Sequence, residues 1–454
     1  MALESINPAN DELLETFTEW SDQQVAETIE QTQQAFLAWR KTSFAERSAL
    51  MHKAADVLRQ NREEYARTMA LEMGKPVAEG RGEVDKCAWV CDYYADEAER
   101  FLAREPAESD GSKSYVEFRP LGVVLAVMPW NFPFWQVFRF AAPGLMAGNT
   151  GLLKHSSNVP RCALAIEDVF VKAGFPANTF RTLMIGSGKV DKVIEHPHVK
   201  AVTLTGSDIA GRKVAGKAGA MLKKTVMELG GSDPFVVLGD ADVETAAEVA
   251  VKARCINSGQ SCIAAKRFIV VDSVYDAFVE RFRSTMAALV VGDQLDEKTQ
   301  VGPQARKDLM LELHGQVEAS VAKGAKVILG GKPMGDKGAF YPPTILTEVK
   351  PGMPAYHEEF FGPVALVIRV KDEAEALHVA NDTDFGLGGS VWTRDVAKGE
   401  AFAAQVEAGA VFVNGMVKSD PRLPFGGIKI SGFGRELSHY GIKEFVNIQT
   451  IWVK

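Results

Sequence analysis

From residue 123 onward, short β-rich apolar runs alternate with helical stretches, and this alternation constrains the fold more than any other feature. Val123-Val124-Leu125-Ala126-Val127 is apolar at every position, the signature of a strand buried on both faces. A short strand at 151–154, a helix at 160–173 closed by Gly174 and Pro176, strands at 180–185, 201–204 and 225–229, and a helix at 209–220 continue the series. Such an order predicts an α/β fold: a parallel sheet with helices on both faces, binding ligands outside the carboxyl ends of its strands. A second series starts at 235–238 and runs through a helix at 243–253, a strand at 268–271, a helix at 275–289 and strands at 326–329, 365–369 and 409–414.

The first hundred residues read as helical. Ser43-Phe44-Ala45-Glu46 has capping-box spacing, apolar residues recur through Leu50, Ala54, Leu58 and Tyr65, and a further helix is expected over 78–102. Residues 115–119 alternate as a half-exposed strand. The β-branched run 446–453 is a strand that pairs either across a subunit interface or as an internal edge.

Composition excludes several classes. The 454 residues carry a net charge of −8 with no basic block, which argues against a nucleic-acid surface. Five irregularly spaced cysteines form no disulfide framework, and no His or Cys cluster completes a metal site around Cys87 and Cys91. The apolar run 123–129 is far too short to span a bilayer, and the amino terminus has no signal-peptide pattern, so a reduced, soluble, cytoplasmic protein without a membrane partner is expected.

Candidate chemistry gathers at a few short segments. Cys262 ends a small polar loop, Asn257-Ser258-Gly259-Gln260-Ser261, that leaves the sulfur open to a substrate. Glu228 lies between a β-rich run and Gly230-Gly231, which suits a base that must move. If Gly230-Gly231 joins two domains, Glu228 and Cys262 face each other across a cleft. Pro129-Trp130-Asn131-Phe132-Pro133 follows the 123–127 strand, where the Asn131 amide could donate to an oxyanion, worth roughly 3 kcal/mol. Thr205-Gly206-Ser207 sets backbone N–H groups at a helix N-terminus, a seat for pyrophosphate, and Lys154 ends a strand on the same side. Gly186-Ser187-Gly188 lacks the third glycine of a dinucleotide fingerprint.

With Glu228-Leu229-Gly230-Gly231, Gly259-Gln260-Ser261-Cys262, Glu359-Phe360-Phe361-Gly362-Pro363 and Pro424-Phe425-Gly426-Gly427 following the Pro129–Pro133 segment in order, the chain resembles the aldehyde dehydrogenase superfamily almost end to end, and within it the succinate-semialdehyde dehydrogenases of the shorter bacterial type. The resemblance implies two parallel-sheet α/β domains plus a β oligomerisation arm. Its boundaries would be an NAD(P)-binding domain over 1–229 with the hairpin 112–122 inserted, a catalytic domain over 230–423, and a return segment with a C-terminal oligomerisation strand over 424–454. It also implies a homodimer or homotetramer.

By the same resemblance Cys262 matches the nucleophile, Glu228 the general base, and Asn131 with the Cys262 N–H the oxyanion hole. Lys154 and Glu359 match the residues holding the cofactor ribose, Gly206 and Ser207 the pyrophosphate turn, and Phe361 the wall beside the nicotinamide, with Trp130 along the channel. The expected reaction is NAD(P)-dependent oxidation of an aldehyde through a cysteine thiohemiacetal and a thioester. A free thiol is only a few per cent ionised at neutral pH, so a depressed Cys262 pKa is expected.

Position 157 bears on the cofactor. NAD-preferring relatives often carry a Glu three residues after the lysine; here Ser157 would leave room for a 2′-phosphate, so NADP is expected to be preferred over NAD. Arg139, on an otherwise apolar helix, occupies the position of an arginine that grips a substrate carboxylate, with Ser419 and Arg422 as helpers; a structural ion pair is the alternative. A second family arginine is replaced by Ile256, and whether Arg254 reaches the site stays open. Ala264 stands where some relatives have a second redox-active cysteine. Succinate semialdehyde is the expected substrate; another short aldehyde, transfer of the acyl group to coenzyme A, and cofactor-free cysteine hydrolysis are the competing readings.

Overall fold

Two parallel sheets organise the chain, which we describe over residues 2–454 from a computed structural model. In the first, the strand order is Gly432–Phe433, Lys224–Glu228, Val199–Thr205, Val123–Met128, Thr150–His155 and Phe180–Thr182. All neighbours are parallel except the outermost pair, where Gly432–Phe433 runs antiparallel to the Glu228 strand. The continuous apolar runs are explained by burial on both faces. Val124, Ala126 and Met128 join a core with the helices Phe44–Gln60, Val77–Phe101, Trp135–Met146 and Pro160–Lys172. Val123 and Leu125 join the opposite core with the helices Asp22–Trp39 and Asp208–Ala220.

The second sheet has the order Lys326–Leu329, Thr344–Thr347, Val364–Val370, Arg267–Val271, Pro234–Val237, Gly388–Trp392 and Ala410–Val413. Only its edge strand Lys326–Leu329 is antiparallel. Its residues likewise alternate between two cores, with Val236 and Ile269 on one side and Phe235 and Phe268 on the other.

The amino-terminal expectation needs correction. Ala2–Asn7 and Glu12–Thr18 form an antiparallel hairpin before the first helix, turned through Pro8-Ala9-Asn10-Asp11 with Asp11 at φ 62°. The Asn-Pro and Asn-Asp turn residues were its sequence signal. The helix expected to run through Tyr65 stops at Asn61 (φ −107°, ψ 20°), and Arg62–Met73 is a separate helix. Its capping box is present: Ser43 Oγ accepts from the Glu46 N–H while Glu46 accepts from the Ser43 N–H. The strand expected over 180–185 ends at Thr182.

The carboxyl-terminal strand Val446–Val453 pairs within its own chain, antiparallel to Lys113–Pro120, in a three-stranded sheet completed by Glu105–Pro106. The hairpin is therefore formed by Glu105–Pro106 and Lys113–Pro120, whereas the expected 112–122 segment is one strand leading directly into Val123–Met128. Gly432 has φ 116°, and a Cβ there would lie 1.9 Å from the Met227 carbonyl oxygen, so the return to the first sheet requires glycine. Among the described residues, no helix is long and apolar enough to cross a membrane.

Candidate active site

The loops leaving Val123–Met128, Val199–Thr205 and Lys224–Glu228 converge at the carboxyl edge of the first sheet. Strand order reverses beside Val123–Met128, because the chain next adds Thr150–His155 on one flank and later Val199–Thr205 on the other. A crevice forms at such a switch point. It is a cavity of about 290 Å³ lined by Trp130, Asn131, Gly206, Ser207, Glu359, Phe361 and Cys262, among others. A second cavity of about 330 Å³, richer in apolar side chains, lies on the other side of Cys262 and includes Phe132, Trp135, Arg139, Ile263, Ser419 and Phe425. Cys262 is half-buried and lines both.

The Cys262 loop is held by unusual backbone and dense hydrogen bonding. Asn257 (φ 53°), Ser258 (φ 55°) and Gly259 (φ 77°) are consecutive left-handed residues. A Cβ at Gly259 would lie 2.2 Å from the Gly362 carbonyl carbon. Asn257 Nδ2 donates to the Asn131 and Gln260 carbonyls at 2.6 and 3.0 Å. Arg254 Nη2 donates to the Gly259 carbonyl at 2.6 Å, and Lys266 Nζ to the Ser261 and Cys262 carbonyls at 2.8 and 2.6 Å. Arg254 is thus fully buried behind the loop and lines neither cavity, while Ile256 lines the apolar one.

Asn131 is buried and donates one amide N–H to the Gln260 carbonyl at 3.1 Å, which orients the amide beside the sulfur. The Cys262 thiol runs against expectation: burial pushes it up to about 12, with Lys266 and Arg139 as the cations pulling it back. Desolvation outweighs the nearby charge.

Glu228 is fully buried and lines neither cavity, so the expected facing of Glu228 and Cys262 across the cleft is not the observed arrangement. Neither carboxyl oxygen has a hydrogen-bond partner. Burial first, and Glu436 second, push its pKa well above the carboxylate range, against Arg139 and Arg435. Burial without a hydrogen-bond partner disfavours the charged form of such a group.

Arg139 reaches the apolar cavity, but its guanidinium forms a buried ion pair with Glu436, donates to Thr205 Oγ1 at 3.3 Å and lies 4.6 Å from the Phe425 ring centre. Its charge is already matched. Ser419 lines the same cavity. Arg422 does not; its exposed side chain pairs with Asp420 at 2.7 Å, a correction to its expected helper role.

Several features suit a dinucleotide. Ser207 caps the helix Asp208–Ala220 by accepting from the Ala210 N–H, and the Gly206 N–H donates to the Glu228 carbonyl, so the open donors are the first-turn N–H groups that follow. Lys154 is buried, makes no ion pair among the described residues, and is pushed down to about 8 by burial. Ser157 is exposed on the turn after that strand; neither residue lines the cavity itself. Glu359 accepts from the Gly231 N–H and pairs with Lys266, both at 3.1 Å. Phe361 meets Trp130 edge-on at 5.7 Å.

The sequence reading missed Lys266, Glu436 and the polar stripe Glu79, Glu83 and Lys86 on the helix Val77–Phe101, and it placed Asn257 in the loop without its bracing role. That stripe was detectable, because i, i+4, i+7 spacing puts the three on one face.

The aldehyde dehydrogenase family profile matches residues 1–451. A probable succinate-semialdehyde dehydrogenase [NADP(+)] of Synechocystis sp. is 52% identical over 453 residues, covering all of both chains. Succinate-semialdehyde dehydrogenase [NADP(+)] 1 of Mycobacterium tuberculosis is 50% identical over 456 residues, again at full coverage. The crystal structure of succinic semialdehyde dehydrogenase from Streptococcus pyogenes in complex with NADP+ superposes with a TM-score of 0.98 at 40% identity, covering 100% of each chain.

Proposed function

Because the chain belongs to the aldehyde dehydrogenase family, we propose that it oxidises succinate semialdehyde to succinate with NADP as the preferred hydride acceptor. The observation that carries this reading is the position of Cys262 between two cavities, one at the switch-point edge of the parallel sheet and one apolar with polar groups within it.

Cys262 gives its thiol proton to water and its Sγ attacks the aldehyde carbon, whose π electrons move to the oxygen. The charge that develops on oxygen meets the second N–H of the Asn131 amide and the backbone N–H of Cys262, donors fixed in place before the reaction. A nicotinamide held in the first cavity would supply the hydride acceptor for collapse of the tetrahedral adduct at Cys262. Cys262 is left as a thioester. Glu228 then takes a proton from the attacking water, and succinate leaves as the thiol is restored. To do so the Glu228 side chain swings out of its buried seat beside Glu436 towards the sulfur, and solvation there lowers its pKa.

This chain's own groups would hold the cofactor: Lys154 and Glu359 would take the ribose hydroxyls, the first turn of Asp208–Ala220 with Gly206 and Ser207 would take the pyrophosphate, and Trp130 and Phe361 would wall the nicotinamide. Ser157 presents no negative charge to a 2′-phosphate. Ser419 serves the substrate's distal end, and Arg139 supplies a positive wall balanced by Glu436. The test is steady-state turnover of succinate semialdehyde with NADP and the loss of that turnover in Cys262→Ser. Parent-like turnover in the serine variant, or no reduced nicotinamide from the parent enzyme, refutes the reading.

A further inference from the structure

Lys266 stands immediately before the strand Arg267–Val271, and hydrogen bonds fix its backbone from both sides. Its N–H donates to the Asp233 carbonyl at 3.1 Å, and its carbonyl accepts the Leu366 N–H at 3.0 Å. From that anchor the fully buried side chain turns back onto the loop that precedes it. Nζ donates to the Ser261 and Cys262 carbonyls at 2.8 and 2.6 Å and pairs with Glu359 at 3.1 Å. An ammonium has three N–H donors, and three acceptors meet it. The two carbonyls satisfy donors without cancelling charge. Among the described residues, Glu359 is the one side-chain anion paired with Lys266.

The other charged groups around Cys262 are placed differently. Arg139 is occupied by its buried pair with Glu436. Asp233 accepts the Gly388 N–H at 3.1 Å through one carboxyl oxygen, has no partner for the other, and is pushed up to about 6 by burial. Arg254 donates to the Gly259 carbonyl, further from the sulfur along the loop. Lys266 alone joins a direct bond to the Cys262 backbone with a charge in a dry setting. Charges act on one another far more strongly there than in water. Burial, the largest influence, pushes the thiol up to about 12; Lys266 comes first among the charges that pull it down, and Glu359 first among those that push it further up.

We infer that Lys266 is a positioning residue for the nucleophile: it fixes the Cys262 backbone and favours the thiolate, and Glu359, paired with the same ammonium, restrains that effect. A carboxylate on the wall of the first cavity thereby sets the reactivity of a sulfur through a lysine bonded to both segments. This deepens the reading above and rests on it only for Cys262 as the attacking group.

The experiment measures alkylation of Cys262 by iodoacetamide in the folded protein at about pH 8, without aldehyde or cofactor, from the mass of the Cys262 peptide. The thiol gives its proton to water, and Sγ displaces iodide from the reagent. Iodoacetamide is uncharged, so a changed side-chain charge does not steer its approach. Parent, Lys266→Met and Glu359→Gln are compared. A shift of one pKa unit changes the thiolate fraction tenfold, and the opposing change in nucleophilicity leaves about 3-fold in rate. Lys266→Met should react at least about 3-fold more slowly than the parent, and Glu359→Gln at least about 3-fold faster. The opposite signs separate charge from scaffolding. Were the pair only a brace, breaking it from either side would move the rate in one direction. Changes of the same sign in the two variants, or an unchanged rate in one of them, overturn the inference. If Lys266→Met does not fold, Glu359→Gln decides alone: faster alkylation supports the inference, and unchanged or slower alkylation overturns it. Neither aldehyde nor cofactor takes part, so this result stands apart from the identity of the substrate, whose failure shows in turnover instead.

Discussion

The left-handed run at Asn257 and Ser258 yields a prediction whose sign is opposite to ordinary experience. Replacing Asn257 by alanine removes the side-chain donor to the buried Asn131 carbonyl, at a cost of about 1–3 kcal/mol. It also leaves a Cβ-bearing residue at φ 53° without the local hydrogen bonding that lets asparagine tolerate that region, a further cost of about 1–2 kcal/mol. Alanine should therefore destabilise the protein by about 2–5 kcal/mol. Glycine loses the same donor but has no penalty at positive φ. Its looser unfolded chain takes back only about 0.4–1 kcal/mol of that relief. Asn257→Gly should thus be more stable than Asn257→Ala, by up to about 1.6 kcal/mol, whereas in an ordinary helix or strand glycine is the worse of the two. Urea unfolding followed by tryptophan fluorescence measures the order. Turnover should fall in both variants, because the Asn257 amide also fixes Gln260, two residues before the sulfur. If the glycine variant proves the less stable, the strain does not reside in the backbone at this residue, and the account of the loop is wrong.

Two further perturbations bear on cofactor and base. Ser157→Glu should lower kcat/KM for NADP far more than for NAD, by at least about 10-fold in the ratio, since a carboxylate repels the 2′-phosphate; a parent enzyme that already favours NAD tenfold would refute the assignment. Glu228→Gln should give a burst of reduced nicotinamide followed by turnover slowed by about 10²–10⁴-fold, because the thioester forms but hydrolyses slowly; steady turnover at the parental rate counts against its role. The same variant carries a stability signature. The Glu228 pKa is raised above its ordinary value of 4.5, so the folded state keeps a proton that the unfolded chain releases above that pH. The stabilisation linked to that proton is full below 4.5 and is lost as pH rises through the folded-state value. Glu228→Gln should therefore gain thermal stability relative to the parent between pH 5 and 8, a gain absent near pH 4.

The sequence made the sheets legible wherever burial on both faces wrote an unbroken apolar run, as in Val123–Met128 and the first five residues of Val364–Val370. Gly388–Trp392 escaped because Gly388-Gly389-Ser390 has no strand chemistry of its own; it is a strand because it lies between Pro234–Val237 and Ala410–Val413. The polar loop around Cys262 was equally plain. Its charge environment was not. The thiol's upward shift is a consequence of burial, and Arg139 is neutralised by a glutamate almost three hundred residues away. Periodicity reports which face of a helix is wet or dry, and it carries no information about which distant acid meets which base. Lys86 was overlooked for the same reason, since a lysine between Asp85 and Cys87 reads as surface until Trp135 and Ser419 fold over it.

The return of Gly432–Phe433 to the first sheet sets a timetable for biosynthesis. A nascent chain that has emerged through Ala410–Val413 has all the strands of the second sheet and most of the first, yet the strand ending at Glu228 still has an open edge and Arg139 still lacks Glu436. Two buried acids and a guanidinium can settle together only once Glu436 has emerged from the ribosome. A polypeptide stalled short of that point would display Cys262 in a half-built cleft, so the active centre is closed by the segment that carries Gly432–Phe433 and Glu436 and by nothing before it.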